Sequence, residues 1–156
     1  MLGKKLTEAT IKIESAKISD LEEIYALLKI VDLPIEGVKE NIDYFLLLIR
    51  QVDTTEEIIG CVGLEMYGQL ALLRSAVIHP DHQGKKYGKQ LTSAIIAFAK
   101  LNGVSQLYLL TETAEQFFQK LGFIKIERSQ VPDSVKESIE FTSLCPDSAT
   151  TMTLKL

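Results

Sequence analysis

Hydrophobic and polar positions recur along this chain with two periods, and the switches between them mark its elements. Ile11-Lys12-Ile13-Glu14 alternates with the period of two of a half-buried strand. Further on, Leu21, Ile24, Tyr25 and Leu28 recur at helical spacing. Ser19-Asp20-Leu21-Glu22 predicts a capping box for that helix, with Ser19 as N-cap and Glu22 reaching back. Asp32-Leu33-Pro34 should end it, because proline disfavours helical geometry in the residue before it. A short helix over 35–41 is the least defined element. Three strand-like runs follow, over 44–52, 57–67 and 69–78, joined by Asp53-Thr54-Thr55 and by Gly68. Connections this short predict an antiparallel meander.

The helical period returns over about 88–101, with Leu91, Ile95 and Phe98 inward and Asn102-Gly103 as its stop. Residues 106–111 read as a strand buried on both faces, 113–121 as a short helix halted at Gly122, and 123–126 as another strand. A helix at 133–138, an irregular stretch through Pro146 and a last strand at 149–156 complete the pattern. A meander followed by strand–helix–strand–helix–strand implies an α/β fold with a mixed sheet. The expected division is a loose leader over 1–10 and one domain over 11–156, without repeats or linkers.

Composition narrows the function classes. At 156 residues the chain can bury a core without metals or disulfides. A formal net charge of -4, with no basic stripe beyond one loop, argues against a nucleic-acid partner. Apolar runs such as Tyr44–Ile49 fall far short of the ~20 residues that span a bilayer. Met1-Leu2-Gly3-Lys4-Lys5 lacks the apolar stretch of a secretory signal. Cys61 and Cys145 have no His or Cys at metal-ligand spacing. They read as small thiols in a reducing cytoplasm, with a metalloid or redox role as the alternative.

Charge becomes informative only locally. The loop His79-Pro80-Asp81-His82-Gln83-Gly84-Lys85-Lys86-Tyr87-Gly88 lies between an apolar strand and an amphipathic helix. Backbone N–H groups at such a helix start, with its partial positive charge, suit a pyrophosphate, and Lys85, Lys86 and Lys89 add full charges. A solvated basic loop is the alternative. The spacing is not that of a Walker A loop, since Gly84 and Gly88 are three residues apart and Gln90 follows Lys89. No Gly-x-Gly-x-x-Gly run of a Rossmann fold occurs either.

Gln83 to Gly88 does resemble the Gln/Arg-x-x-Gly-x-Gly/Ala signature of the GCN5-related N-acetyltransferases (GNAT). Leu73-Arg74-Ser75-Ala76-Val77-Ile78-His79-Pro80 resembles that family's central strand, and Ala114-Glu115-Gln116-Phe117-Phe118-Gln119-Lys120-Leu121-Gly122-Phe123 its second cofactor segment. Gly63–Gly68, Leu72–Ser75, Leu107–Thr113 and Ser143–Ala149 are further similar to N-acetyltransferases associated with arsenic-resistance operons. That branch is itself similar to amino-acid acetyltransferases such as N-acetylglutamate synthase. The resemblance implies a mixed, mostly antiparallel sheet flanked by helices, its central strands splayed.

It also implies acetyl-CoA as cofactor and acetyl transfer to a small-molecule amine by direct attack in a ternary complex. Pantetheine would lie along Val77 and Ile78, with a free N–H of Ile78 polarising the thioester carbonyl. Gln83, Gly84, Lys85, Lys86, Tyr87, Gly88 and Lys89 would hold the pyrophosphate. Two positions depart from the family pattern. Lys86 replaces the first signature glycine, which matters if a positive φ is required. Phe118 stands in the cofactor segment where many members carry a proton-donating tyrosine, so solvent, Tyr67 or no specific acid would serve.

The residues themselves suggest the acceptor side. Gly63, Glu65 and Tyr67 share one face of their strand, and Arg74, Ala76 and Ile78 likewise share one face of the next, so a carboxylate and a guanidinium flank the acceptor pocket if those faces coincide. Glu65 is then a candidate base through water, and Arg74 a bidentate clamp for a substrate carboxylate; a structural Glu–Arg pair is the alternative. Glu112 is a second base or amine anchor, or else an ordinary acid at a helix start. His79 and His82 are expected to face solvent. An acyl-CoA-binding regulatory module is the competing function class, and a homodimer is left open.

Overall fold

The computed structural model describes residues 8–144 and 148–156. Most of the expected leader, and Cys145 with Pro146 and Asp147, lie outside the described residues. Seven strands form one sheet: β1 (Thr10–Ser15), β2 (Phe45–Val52), β3 (Thr55–Tyr67), β4 (Leu70–Ile78), β5 (Gln106–Thr111), β6 (Ile124–Ile126) and β7 (Thr150–Lys155), in the order β1-β2-β3-β4-β5-β7-β6. Four α-helices accompany them: α1 (Leu21–Ile30), α2 (Tyr87–Leu101), α3 (Glu115–Lys120) and α4 (Asp133–Lys136). Among the described residues, no helix is long and apolar enough to cross a membrane.

The meander is present as expected. Val52 pairs with Thr55 and Tyr67 with Leu70, so each hairpin turns on two residues, and Asp53 and Gly68 take the positive φ such tight turns need. Only β4 and β5 run parallel. Their pairing lasts three residues, from Leu70 opposite Gln106 to Leu72 opposite Tyr108, after which the strands part. The splay implied by the sequence resemblance is therefore built into the sheet.

Local entry and exit of α1 differ from the sequence expectation. The capping residue is Asp20, whose carboxylate accepts the Lys17 N–H at 2.8 Å at the start of a 3-10 turn over Ile18–Asp20. Ser19 is not the N-cap. The helix ends at Ile30, ahead of Pro34, because Asp32 turns left-handed (φ 57) and Leu33 N–H closes onto Leu28 carbonyl at 3.0 Å. A 3-10 turn over Lys39–Tyr44, rather than a helix over 35–41, leads into β2.

Alternation along the strands sorts the core into layers. Leu46, Leu48, Val62, Leu64, Leu73, Leu107, Leu109 and Met152 face α2 and α3, meeting Leu91, Ile95, Ala99 and Phe118. Phe98, expected inward, is only partly buried at the edge of this cluster. Phe45, Leu47, Ile49, Cys61 and Val77 face α1 on the other side, against Ile24, Leu27 and Leu28. Farther along that face, Leu72 and Tyr108 are covered by Val131 and Val135. Gly63 is required opposite Phe45, since a Cβ at that position would collide with the Phe45 ring.

Candidate active site

One backbone irregularity organises the site. In β4, Arg74 pairs with Gly63 and Val77 with Cys61, so Ser75 and Ala76 together oppose the single residue Val62. Ser75 takes φ 59 to make this bulge. The extra residue shifts the alternation by one. Arg74 lies on the α1 side with Glu65, while Ala76 and Ile78 join the α2-side cluster. The expectation that Arg74, Ala76 and Ile78 share a face therefore does not hold: a one-residue insertion flips every later side chain. The bulge also bends β4 where it leaves β5.

Two adjoining cavities open at the parting strands. The first, about 560 Å³, runs from Ala76–Ile78 past Phe117 and Phe118 to His82–Gly84 and Lys86–Lys89. The second, about 450 Å³, is walled by Val31–Pro34, Arg74, Leu109–Ala114, Glu140 and Ala149. Ala76, Val77, Ile78, Gln83, Ala114 and Phe118 line both, so the cavities meet through the sheet.

The first cavity has the features of an anion cradle. Its far end is the N-terminus of the 15-residue α2, whose first turn carries no acid. Lys89 sits there although the helix dipole disfavours a cation, an arrangement that suits an external anion. Gly84 (φ 81) and Lys86 (φ 66) both adopt left-handed geometry. The glycine-replacing lysine thus does pay the conformational penalty for L-residues in that region. Lys85 is exposed on the same loop but does not line the cavity. The Gln83 amide donates to the Ile78 carbonyl at 3.1 Å and staples the loop to the strand.

Ile78 stands at the mouth between the cavities. His79 N–H donates to the Ile59 carbonyl at 2.7 Å, and Ile78 is in register with Gly60. Successive residues of a strand turn their amides to opposite sides, so the Ile78 N–H points towards β5, beyond the end of the β4–β5 pairing. Phe118, 5% exposed, packs edge-on against Phe117 and Phe123 at 5.1 and 5.4 Å between ring centroids. It forms the floor where the cavities join and carries no transferable proton.

The second cavity is built around Arg74. Its side chain is fully buried and lies 2.7 Å from Glu65 Oε2 through Nη1 and 3.2 Å from Glu140 Oε2 through Nε. The single Nε hydrogen is donated to Ser75 Oγ at 3.0 Å, and Nη2 donates to the Pro34 carbonyl at 3.4 Å. Gly37, at φ 86, presses on the guanidinium: a Cβ there would come within 2.7 Å of Nη1. The other Glu65 oxygen accepts the Tyr67 hydroxyl at 2.6 Å. Burial, with the Glu65 carboxylate beside it, pushes the Tyr67 phenol well above its usual range.

Of the residues expected on the acceptor side, Arg74 and Glu112 line this cavity, whereas Glu65 and Tyr67 lie outside the lining of either one. Glu112 is exposed and precedes α3 by three residues, so it is not a first-turn acid of that helix. Sequence reasoning missed Asp32, Pro34, Gly37 and Glu140. An Asp before Leu-Pro, and a lone acid between Ile139 and Phe141, were the available signals. His82 borders the first cavity with its Nδ1 buried and without a hydrogen-bond partner, rather than facing solvent. Cys61 donates to the Ser75 carbonyl at 3.3 Å behind the bulge, and burial pushes its thiol up to about 12.

Comparison with known proteins accords with this geometry. Residues 42–125 match the acetyltransferase (GNAT) domain model. The amino-acid acetyltransferase of Escherichia coli (strain K12) is 29% identical over 142 residues, covering 83% of this chain and 30% of that protein. The chain thus spans less than a third of the length of such curated relatives. N-acetylglutamate synthase from Neisseria gonorrhoeae, solved with coenzyme A and N-acetyl-glutamate, superposes with a TM-score of 0.77 at 22% identity, covering 96% of this chain and 36% of that one. A Mycobacterium tuberculosis protein solved with CoA and NLQ gives 0.77 at 21% identity over 93% of this chain and 99% of its own. With its sheet parted between β4 and β5 and the family model matched over more than half its length, this chain belongs to the GNAT acetyltransferase family.

Proposed function

We propose that the protein transfers the acetyl group of acetyl-CoA to the amine of a small amino acid or amino-acid analogue. The observation that carries this reading is the meeting of two chemically different cavities at Ile78, one ending in open amides and lysines, the other holding a buried arginine. The donor's pyrophosphate suits the α2 N-terminus with Gly84, Lys86, Gly88 and Lys89, and its pantetheine arm suits the wall from Ala76 to Ile78. Similarity to amino-acid acetyltransferases supports an acceptor with a carboxylate.

In the reaction the amine nitrogen forms a bond to the thioester carbonyl carbon, the C–S bond breaks, and the amine's proton is passed on while the sulfur leaves as thiolate or thiol. The Ile78 N–H is aimed to stabilise the charge that develops on the carbonyl oxygen. We assign proton acceptance, through water, to Glu112, the carboxylate on the open cavity wall. Glu65 acts as a positioning residue for Arg74, and Arg74 receives the substrate carboxylate. Tyr67 is a poor acid, because its proton is held by Glu65 and its phenol is shifted upward. Coenzyme A's thiolate is a fair leaving group without it. The similarity of Ser143–Ala149 and Leu107–Thr113 to arsenic-operon acetyltransferases favours a detoxifying role in the cytoplasm.

The test is release of free thiol from acetyl-CoA against a panel of amino acids, their analogues and simple amines. Turnover with a carboxylate-bearing amine is expected. Tight donor binding without turnover across the panel would favour the regulatory-module reading, which Phe118 in place of an acid supports.

A further inference from the structure

We propose that Glu140 holds the seat on Arg74 that a substrate carboxylate takes, so that this residue sets how well carboxylate-bearing amines compete with amines lacking one. The inference deepens the acetyl-transfer reading and rests on it.

Arg74 pairs with two carboxylates at once, hydrogen-bonded to Glu65 at 2.7 Å and in an ion pair with Glu140 at 3.2 Å. These two are not equivalent. Glu65 belongs to β3, where it pairs with Leu72 of β4, and its second oxygen is fixed by Tyr67. Glu140 opens a five-residue turn with i→i+5 hydrogen bonding, Glu140–Leu144, a geometry that recurs at functional sites. Glu140 lines the acceptor cavity, and Glu65 does not. Glu65 is part of the frame, then, and Glu140 is the carboxylate a ligand can exchange for.

Charge favours the exchange, because Asp32 and Glu112 bring further carboxylates to the wall that Arg74 and Glu140 share. A substrate carboxylate entering alongside Glu140 meets repulsion. Replacing it keeps two carboxylates on Arg74 and moves one negative charge outward. An amine without a carboxylate makes no such exchange, and its ammonium is drawn by Asp32 and Glu112.

The experiment compares amino acids with the amines formed by removing their α-carboxylate, leucine with 3-methylbutylamine and phenylalanine with phenethylamine, in wild type and Glu140→Gln. The ratio of kcat/KM for amino acid over decarboxylated amine is expected to rise about tenfold in the variant, the worth of one competing ion pair on the arginine. An unchanged or lower ratio overturns the proposal. If wild type releases no thiol with any of these amines, the transfer reading fails. Calorimetric titration of leucine with coenzyme A present then decides the seat alone, tighter binding to Glu140→Gln supporting it and equal or weaker binding overturning it. A variant that does not fold is bypassed by hydrogen–deuterium exchange on wild type. Exchange over 138–144 rises with leucine and not with 3-methylbutylamine; a fall or no change with leucine overturns the proposal.

Discussion

Single residues carry the sharpest consequences. Arg74 is buried with two carboxylates against it, so Arg74→Ala leaves both without their cation and should cost ~3–5 kcal/mol, read by urea denaturation. The same change should raise KM for an amino-acid substrate at least several-fold; reduced stability with an unaltered KM would make the arginine structural only. Lys86 holds a left-handed conformation at φ 66 without the freedom of glycine. Lys86→Gly is therefore expected to gain ~1 kcal/mol in thermal or urea unfolding, offset in part by the more flexible unfolded chain. It should also weaken coenzyme A binding and flatten its salt dependence by about one charge. Both residues stand out in the sequence, Arg74 as a charge within an apolar run and Lys86 as the odd member of a glycine signature. What could not be read there was company: Glu140 lies 66 positions from Arg74, and no local pattern connects them.

Elements were legible where periodicity is long and uninterrupted, and illegible where one residue breaks it. The strands of the meander, α2 and the strand buried on both faces follow directly from their patterns, because burial on one or two faces dictates where apolar residues fall. The bulge at Ser75 does not. Leu70–Ile78 is apolar at nearly every position, so a slip of one residue leaves no trace in its composition, yet it decides which side chains reach which cavity. The start of α1 failed for a related reason: Ser19 and Asp20 both suit a cap, and only the 3-10 turn ahead of the helix selects Asp20. Gly37→Ala tests how far an element depends on a neighbour it merely touches. With φ 86 and the new Cβ against Nη1, the substitution should cost at least ~1 kcal/mol and raise KM for amino acids more than for their decarboxylated amines. Equal shifts in both would separate the turn from the guanidinium.

For the whole molecule, stability should respond to pH and to the donor in defined ways. Cys61 ionises near 9 when unfolded but only at about 12 in the folded chain, where burial resists the charge. The folded state then holds the proton that the unfolded state loses, so stability is intact below pH 9 and falls from 9 towards 12 by up to ~1.4 kcal/mol per unit. Tyr67 and Tyr108, also raised by burial, act in the same direction. Cys61→Ala should shallow the alkaline limb of a urea-midpoint profile; an unaltered limb would show the thiol is not its source. Coenzyme A at a hundred times its dissociation constant should add ~2.7 kcal/mol and raise Tm by roughly 5–10 °C.

The stretch matched by the family model supplies the two cavities unequally. Every residue bordering the first cavity lies between Val62 and Phe118, inside the segment matched by the family model. The second draws Val31–Pro34, Glu140 and Ala149 from outside it. A relative's ends could accordingly be grafted onto this middle, exchanging the acceptor while the donor grip is inherited intact.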